Sequence, residues 1–432
     1  MRFQDLDSWL RWQESLHPRE IELGLERLRP VHARLSSMPP DCRVITVAGT
    51  NGKGSCVAVA EAVALASGLR VGAYTSPHLF RYNERVRLDG QPVDDLRLMQ
   101  AFESVDKARR GVPLTYFEFG TLAALQIFFE DRLDLVILEV GLGGRLDAVN
   151  IVDADVAVIT SVGLDHQAWL GMDRESIGAE KAGIVRSGRP LVLGDPDPPG
   201  SVLRIAEERG ALLDALGQSW FPDLGEEEWW LRAGESRFGP LPYGSLRGAL
   251  VRNAGCALRA LDWLDMCPDH DTVGRGIGKL VLPGRLQRFP GSVEWVVDLA
   301  HNTQGAQLLA ETLESEECQG KTRAVFGMLA DKDIGGVAAV MAPVVDEWLI
   351  TGIGGSRGAS ADEVAAQVAG AGAARIEICR DVQDACARAA QRSSKGDRVV
   401  VFGSFFVVGP ALEAFELYSP PISAQENRVP SQ

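Results

Sequence analysis

The stretch Val44–Ser55, with the sequence VITVAGTNGKGS, decides the fold of this chain. A short β-branched run ends at a glycine turn that contains Gly52, and Lys53 then stands at the head of an Ala/Val-rich helical segment. Backbone N–H groups at such a turn and at a helix N-terminus bind phosphate, and a lysine adds a full positive charge. Val47 and Gly54 occupy positions where the strict Walker pattern requires a glycine and a hydroxyl. We therefore predict a shortened phosphate-binding loop; a tight strand-to-helix turn with a surface lysine is the alternative.

Length, composition and charge narrow the class of protein. A chain of 432 residues with 46% hydrophobic and 24% charged residues indicates a globular protein with more than one domain. Its net charge of −15 argues against non-specific binding to nucleic acid or to an anionic membrane, because both need basic surface. No apolar segment approaches the length of a membrane span, and the charged N-terminus lacks a signal-peptide pattern. We therefore expect a soluble cytoplasmic protein, and we expect a monomer.

The cysteines are odd in number and spread along the chain without a C-x-x-C pair. This spacing suggests neither a zinc site nor a disulfide framework. We therefore expect reduced packing residues at all seven positions, which are Cys42, Cys56, Cys256, Cys267, Cys318, Cys379 and Cys386.

The order of predicted elements indicates an α/β fold in two domains. Near-continuous apolar runs at Leu133–Val140 and Val156–Val162 are typical of parallel strands that are buried on both faces. Their alternation with helices predicts a P-loop-type, doubly wound, mostly parallel sheet domain over residues 1–285. A second series predicts a smaller Rossmann-like α/β domain over residues 286–420. Residues 421–432 are Pro/Ser/Gln-rich and are predicted to be a disordered tail.

Two regions of the first domain depart from this alternation. Residues 1–40 are predicted to be helical and amphipathic, with an end at Met38-Pro39-Pro40. Within them, Glu22-Leu23-Gly24-Leu25 is unusual, because a glycine inside a helix costs about 1 kcal/mol. Either the helix breaks at Gly24 or a ligand approaches the backbone there. Residues 195–245 change in composition and are predicted to form small strands or hairpins at an edge of the domain.

In a parallel sheet, ligand-binding residues collect beyond the carboxyl ends of the strands. Glu139 ends an apolar strand, where a carboxylate is costly unless it is paired or holds a cation. Ser76 follows an earlier strand, and His166 follows the next one. A hydroxyl, a carboxylate and an imidazole beside a phosphate loop suit Mg²⁺, although a hydrogen-bonded structural histidine is the alternative for His166. Lys181 lies on the helix that follows, where a solvated lysine is the ordinary interpretation.

The second predicted domain carries a similar arrangement. Asp298 follows its first strand, and a carboxylate there can accept hydrogen bonds from ribose hydroxyls. His301 and Asn302 are then placed to face the phosphates or the adenine of a nucleotide. With Arg285 as a phosphate clamp, we predict a nucleotide between the domains, with closure completing the site. Gly141-Leu142-Gly143-Gly144 lacks the last glycine and the helix of a dinucleotide fingerprint, which argues against a nicotinamide cofactor.

Eight motifs occur in order along nearly the whole chain: GTNGKGS, SPHL, TYFE, LEVGLGGRLDA, DHxxWLG, EKAGI, LPGR and DxAHN. Together they resemble the bifunctional dihydrofolate synthase/folylpolyglutamate synthases of bacteria, a family similar in fold to the Mur ligases. The resemblance implies an ATP-dependent ligase that adds L-glutamate to dihydropteroate and to reduced folates through an acyl phosphate. It also implies Mg²⁺ as the cofactor.

The resemblance further implies roles for individual residues. Lys181 matches the carbamylated lysine of the family, and the implied catalytic residues are Lys53, Glu139, His166 and Lys181. The implied ATP-binding residues are Thr50, Asn51, Gly52, Lys53, Asn253, Arg285, Asp298 and His301. The implied metal ligands are Ser76, Glu139, His166 and Ser55. The implied dihydropteroate-binding residues are Glu22, Leu23, Gly24, Leu25, Thr115, Tyr116, Phe117, Glu118, Leu146, Asp147 and Ala148.

Two other classes of protein are alternatives. A nucleotide-switch NTPase would share the phosphate loop, but the shortened loop, the second α/β domain and the lack of an N-K-x-D motif argue against it. A Mur-type ligase would need a pocket for a uridine-nucleotide sugar, and no stretch of the sequence points to one. Release of ADP that depends on glutamate would separate a ligase from a switch.

Overall fold

A computed structural model of the protein describes residues 1–35, 42–316, 318–355 and 357–414. The chain divides into two compact units, Met1–Leu280 and Val281–Gln432. The boundary between the units lies a few residues before residue 285, where the sequence predicts a domain limit. Both units contain parallel strands that alternate with helices, which confirms the predicted α/β fold class. The predicted tail and the predicted helix end at Met38-Pro39-Pro40 lie outside the described residues.

An eight-stranded sheet forms the centre of the first unit. It contains β1 (Arg43–Ala48), β2 (Val71–Tyr74), β3 (Val86–Leu88), β4 (Gln91–Pro92), β5 (Leu135–Glu139), β6 (Val156–Ile159), β7 (Pro190–Leu193) and β8 (Leu212–Ala215). Their order is β4-β3-β2-β5-β1-β6-β7-β8, and all neighbours are parallel except the pairs β2–β3 and β3–β4. The middle strands β1, β5 and β6 are buried on both faces, which explains their unbroken apolar sequences.

Helices cover this sheet and fix where its strands lead. They are α1 (Leu6–Glu14), α2 (Arg29–His32), α3 (Lys53–Ala66), α4 (Asp95–Arg109), α5 (Tyr116–Glu130), α6 (Gln167–Leu170), α7 (Arg174–Lys181), α8 (Gly200–Glu208), α9 (Ala249–Asp262) and α10 (His270–Gly278). Short 3₁₀ helices lie at Tyr82–Arg85, Ala148–Ile151 and Ala182–Ile184. Because α3 starts at Lys53 and contacts β1, β2 and β5, its N-terminus lies at the carboxyl end of the central strands.

Within the described residues 1–35, only α1 and α2 are helical, so the predicted helix over residues 1–40 is wrong for most of its length. Pro18 lacks a backbone N–H, and Gly24 has a φ of +153°, a conformation that other residues rarely adopt. The Gly24 N–H donates to the carbonyl of Leu146 at 3.2 Å. The N-terminal helix therefore ends at Glu14, well before Gly24, and the backbone of Gly24 is held by the loop after β5.

Residues 195–245 contain the small strands that the sequence predicts. The strands β9 (Trp220–Leu224), β10 (Glu228–Ala233) and β11 (Ser236–Pro242) form an antiparallel sheet of their own. The same region also holds α8 and β8, which the composition did not reveal. Because β8 joins the edge of the eight-stranded sheet beside β7, part of this region belongs to the main α/β layer.

The second unit has a six-stranded sheet. Its strands are β12 (Gln287–Phe289), β13 (Glu294–Val297), β14 (Thr322–Phe326), β15 (Glu347–Ile350), β16 (Ile376–Ile378) and β17 (Arg398–Phe402), in the order β12-β13-β17-β14-β15-β16. Only β12 is antiparallel to its neighbour. The helices are α11 (Thr303–Glu314), α12 (Ile334–Met341), α13 (Ala361–Gly370), α14 (Val382–Arg392) and α15 (Phe405–Ala414). In the portion of the chain that the structure describes, no helix combines the length and apolarity needed to cross a bilayer.

Candidate active site

The loop between β1 and α3 has the conformation of a phosphate-binding loop. Gly52 is left-handed, with a φ of +85°, and directly precedes the first residue of α3. A Cβ atom at this position would lie 2.5 Å from Oδ1 of Asn253, so any larger residue would collide with that amide. The loop therefore requires glycine here. The same contact brings Asn253, on α9, beside the predicted ATP-binding residues.

The loop is fastened to the end of β6 by hydrogen bonds. The Thr50 N–H donates to the Ser161 carbonyl at 2.8 Å, and the Thr50 hydroxyl exchanges hydrogen bonds with the backbone of Gly163. The Asn51 N–H donates to the Ser161 hydroxyl at 3.1 Å, and the Thr160 hydroxyl donates to the Asn51 carbonyl at 2.6 Å. Thr160 and Ser161 were not among the predicted site residues, although adjacent hydroxyls at a strand end were a visible signal.

The start of α3 presents polar groups that a ligand can satisfy. Lys53 Nζ donates to the carbonyls of Gly49 and Thr50, at 3.0 and 3.3 Å. The helix has no side-chain N-cap, which leaves backbone N–H groups to be satisfied by other partners. Ser55 Oγ is buried and has no hydrogen-bond partner among the described residues. A buried hydroxyl in this state is costly, so the oxygen is well suited to a ligand or a cation.

Glu139 and Ser76 lie together at the carboxyl edge of the sheet. Glu139 is the last residue of β5, is paired in register with Val47 of β1, and is 4% exposed. The Ser76 N–H donates to Glu139 Oε2 at 3.1 Å. The structure therefore brings together two of the predicted metal ligands, beside the strand that leads into the phosphate loop.

His166 lies on the loop after β6, in a left-handed conformation with a φ of +51°. Its N–H donates to Asp165 Oδ1 at 2.8 Å, and its Nε2 lies 3.9 Å from Asp165 Oδ2. The described residues contain no cluster of three or more His, Cys, Asp or Glu side chains that could hold a metal ion.

Lys181, at the end of α7, is only 3% exposed, so the interpretation as a solvated lysine is wrong. Burial and, after it, the charge of Lys53 lower the pKa of Lys181 from 10.5 to about 7, although Asp165 and Asp147 oppose this shift. A buried lysine with such a pKa has a substantial neutral fraction near neutral pH.

The loop from residue 141 to residue 147 leads from β5 to the 3₁₀ helix Ala148–Ile151 and contacts the end of α7. Asp147 is buried and accepts hydrogen bonds from the N–H groups of Leu142 and Val149, at 2.8 and 3.1 Å. Burial raises its pKa to about 7, against these hydrogen bonds and the charge of Lys53. The Arg145 N–H donates to the carbonyl of Glu180 at 2.8 Å. The motifs LEVGLGGRLDA and EKAGI are therefore parts of one packed structure.

The three segments predicted to bind dihydropteroate contact one another. The Gly24–Leu146 hydrogen bond joins the first segment to the third. Arg27 ion-pairs with Glu22 at 2.8 Å and with Glu118 at 2.7 Å, which joins the first segment to the second. Arg27 was not predicted, because its charge fitted the polar face of the expected N-terminal helix.

Within the second segment, the side chains divide between two tasks. The Thr115 N–H donates to Glu118 Oε2 at 2.8 Å, and the Glu118 N–H donates to the Thr115 hydroxyl at 3.3 Å, forming a capping box at the start of α5. These two residues therefore stabilise the helix. Tyr116 and Phe117 are partly exposed, and the Phe117 ring lies against Gly141, where a Cβ would approach it to 2.5 Å. The rings are the part of this segment that a ligand can reach.

The predicted residues of the second unit gather at one end of its sheet. Asp298 follows β13 and accepts hydrogen bonds from the N–H groups of Leu286 and Ala300, at 2.8 and 2.7 Å. Burial raises the pKa of Asp298, while the Leu286 hydrogen bond and the charge of Arg285 oppose the rise. His301 Nδ1 lies 2.8 Å from the carbonyl of Leu299. Because β12 and β13 are antiparallel, the turn before β12, which contains Arg285, lies beside the turn after β13, which contains Asp298 and His301.

Comparison with known proteins gives matches over almost the whole chain. Residues 284–405 match the family model for the Mur ligase, glutamate ligase domain. A dihydrofolate synthase/folylpolyglutamate synthase from Escherichia coli (strain K12) is 43% identical over 411 residues, covering 95% of this chain and 96% of the relative. The structure of E. coli FolC in complex with DHPP and ADP has a TM-score of 0.91 at 41% identity, covering 96% of this chain and 98% of that chain. A bifunctional folylpolyglutamate synthase/dihydrofolate synthase with Mn, AMPPNP and L-glutamate bound has a TM-score of 0.88 at 43% identity, with the same coverage.

A phosphate loop on a mostly parallel sheet, followed in the same chain by a Mur-type glutamate ligase domain, defines an ATP-dependent ligase. Identity and coverage at this level are specific enough to distinguish between branches of that class. The chain belongs to the family of dihydrofolate synthase/folylpolyglutamate synthases, which confirms the resemblance seen in its motifs.

Proposed function

We propose that this protein adds L-glutamate to dihydropteroate, which gives dihydrofolate, and to tetrahydrofolate, which gives folylpolyglutamates. ATP phosphorylates the carboxylate of the folate substrate, and the α-amino group of glutamate then attacks the acyl phosphate, with ADP and phosphate as the other products. The observation that carries the proposal is the position of Lys53. It is the first residue of α3 and follows the loop after β1, the strand in which Val47 pairs with Glu139. A cation there can neutralise charge on phosphoryl oxygens.

Backbone groups and side chains in and around the loop are proposed to bind different parts of ATP. Backbone N–H groups at the start of α3 face the phosphates, and the hydrogen bonds from Thr160 and Ser161 keep the loop in place before ATP arrives. The positive charge of Lys53 neutralises negative charge on the phosphoryl group that is transferred. Asn253 lies against Gly52 and is proposed to contact the nucleotide, as are Arg285, Asp298 and His301 of the second unit.

Mg²⁺ is the proposed cofactor, and the residues present fit it. Ser55 Oγ is buried without a described partner, and Glu139 is a buried carboxylate whose Oε2 accepts a hydrogen bond from Ser76. Ser55, Ser76, Glu139 and His166 are the residues proposed to hold the ion. The Mn-bound relative supports a divalent metal. When bound, Mg²⁺ would neutralise charge on the phosphates.

Replacing Glu139 with glutamine tests this assignment. Glutamine keeps an acceptor oxygen for the Ser76 N–H but removes the negative charge, so we expect a higher Mg²⁺ requirement and lower turnover at nearly unchanged Tm. The measurement is the rate as a function of Mg²⁺ concentration, together with thermal unfolding.

Asp214→Asn is the matched control, because Asp214 is also a buried acid but is ion-paired with Arg259 at 2.8 Å. Its loss should lower the Tm and leave the Mg²⁺ dependence unchanged. A Glu139→Gln protein with a lowered Tm and wild-type Mg²⁺ dependence would show that Glu139 is a structural acid.

The folate substrate is proposed to bind at the three joined segments, whose partly exposed rings are those of Tyr116 and Phe117. Glu22–Leu25 and Leu146–Ala148 complete this surface. The acyl phosphate is tested by labelling the substrate carboxylate with ¹⁸O, because one labelled oxygen should then appear in the phosphate product. Unlabelled phosphate formed together with labelled dihydrofolate would contradict the intermediate.

The monomeric state and the cytoplasmic location stay predictions. Analytical ultracentrifugation of the full chain tests the first, and a single species at the monomer mass is expected.

A further inference from the structure

Arg85 is a buried guanidinium that is surrounded by neutral groups. It is 9% exposed, and its Nε donates to Nδ1 of His78 at 2.8 Å. Its positive charge opposes the rise in the pKa of the buried Tyr74, and its Cζ lies 5.2 Å from the ring centroid of Tyr82 and 5.6 Å from that of Tyr116. We call these five residues, Tyr74, His78, Tyr82, Arg85 and Tyr116, the Arg85 cluster.

Two partly buried arginines of this unit have carboxylate partners. Arg87, two residues further along the chain, pairs with Glu61 at 2.7 Å, and Arg27 pairs with Glu118 at the same distance. Within the described part of the chain, Arg85 has no such ion pair. Burying a cation without a counter-charge is costly, and hydrogen bonds to neutral groups with aromatic contacts offset only part of that cost. An anionic ligand would supply the missing charge.

Two members of the cluster are partly accessible, and one of them belongs to the proposed folate surface. His78 and Tyr116 are partly exposed, and Tyr116 belongs to a segment that is proposed to bind the folate substrate. Ser76, two residues before His78, donates to Glu139. The cluster therefore adjoins both the folate segment and the loop that reaches the proposed metal carboxylate. Aromatic rings around a guanidinium are well suited to a carboxylate on an aromatic or aliphatic body.

We propose that Arg85 binds a carboxylate of a substrate of this ligase, and that the tyrosine rings of the cluster pack against the group that carries it. The inference rests on the proposed function, which supplies three such substrates: dihydropteroate, tetrahydrofolate and L-glutamate. A guanidinium can bind both oxygens of a carboxylate at once, and this gives orientation as well as affinity. Arg85 is thus a specificity-determining residue of the binding site.

The test compares Arg85→Gln and Arg85→Lys with the wild type and with Arg70→Gln. Arg70 is an exposed arginine that ion-pairs with Asp89 at the surface, so its variant controls for loss of one positive charge. Arg85→Gln should raise the KM of the substrate that it binds by roughly 10- to 100-fold, with an unchanged KM for ATP. Arg85→Lys should give a smaller rise, because lysine keeps the charge but loses the bidentate geometry. The substrate whose KM rises identifies the bound carboxylate.

A binding measurement removes the dependence on turnover. In calorimetric titrations, the wild type should prefer that substrate over its carboxamide analogue, and Arg85→Gln should bind the two about equally. Wild-type KM values for all three substrates in Arg85→Gln would overturn the inference, as would a loss of stability in Arg85→Gln with wild-type KM values in Arg85→Lys. A wild-type enzyme that uses neither folate substrate would overturn the proposed function and this inference together.

Discussion

Replacing Lys53 with alanine should lower kcat by roughly 100-fold or more, the scale expected when one electrostatic stabiliser of a transition state is removed. The Lys53 ammonium group donates hydrogen bonds to the carbonyls of Gly49 and Thr50, and water can satisfy both carbonyls in the variant. Folding should therefore change little. The measurement is steady-state turnover with saturating ATP, folate substrate and L-glutamate, together with thermal unfolding.

Lys107→Ala is the control for this experiment, because Lys107 is an exposed lysine that pairs with Glu103 on α4. Its kcat should equal that of the wild type. Near-normal turnover in Lys53→Ala would contradict a role of Lys53 and its loop in phosphoryl transfer. A large fall in Tm would assign Lys53 a structural role instead.

Replacing Lys181 with alanine should nearly abolish activity, because we propose that Lys181 works as a carbamate. An ammonium group beside a proposed metal site would repel the cation, whereas reaction of the neutral amine with CO₂ gives a carboxylate that can accept hydrogen bonds from metal-bound water or bind the metal. The burial of Lys181 and its pKa of about 7 provide the neutral amine that this reaction needs. The reaction forms an N–C bond and releases one proton.

Rescue by a small carboxylate distinguishes this role from a structural one. Acetate should partly restore the activity of Lys181→Ala, since the anion can occupy the vacated volume, and it should not restore Lys53→Ala, where a cation is missing. A fully active Lys181→Ala enzyme would rule out the carbamate role. Absence of a carbamate signal after labelling the wild type with ¹³C-bicarbonate would contradict it independently.

The pH dependence of the carbamate has a definite sign. The neutral amine is the reactive form, and its fraction falls as the pH drops through the Lys181 pKa of about 7. At a fixed partial pressure of CO₂, the ¹³C carbamate signal should therefore decrease on acidification below neutral pH. A signal that stays constant or increases over that range would contradict the proposed chemistry.

The sequence predicted the central strands of the first unit well, because a parallel sheet leaves a strong pattern. Buried runs such as those of β5 and β6 cannot tolerate polar residues on either face, so their positions were visible without a structure. The polar residues at the ends of those runs, Glu139 among them, marked the carboxyl edge of the sheet. The phosphate loop was visible because a glycine turn follows the apolar strand β1 and leads directly to Lys53 at the head of a helix.

The N-terminal region was predicted wrongly because its charges allow two interpretations. Arg27 and Glu22 fit the polar face of a helix, whereas in the structure they pair with each other, and Arg27 also pairs with Glu118. Residues 27 and 118 are far apart in the chain, so local periodicity carries no information about the second contact. Arg85 was overlooked for a related reason: a charged run normally indicates a solvated surface, and only tertiary packing shows that this arginine is buried.

The central claim is tested most directly by incubating the full-length protein with ATP, Mg²⁺ and L-glutamate, with either dihydropteroate or tetrahydrofolate, and measuring ADP, phosphate and folate products together. We predict one ADP and one phosphate for each dihydrofolate formed from dihydropteroate, and the same ratio for each glutamate added to tetrahydrofolate. ADP release should depend on both the folate substrate and glutamate. ADP release that is independent of glutamate, with no glutamylated product, would contradict the account and would favour a nucleotide-switch NTPase.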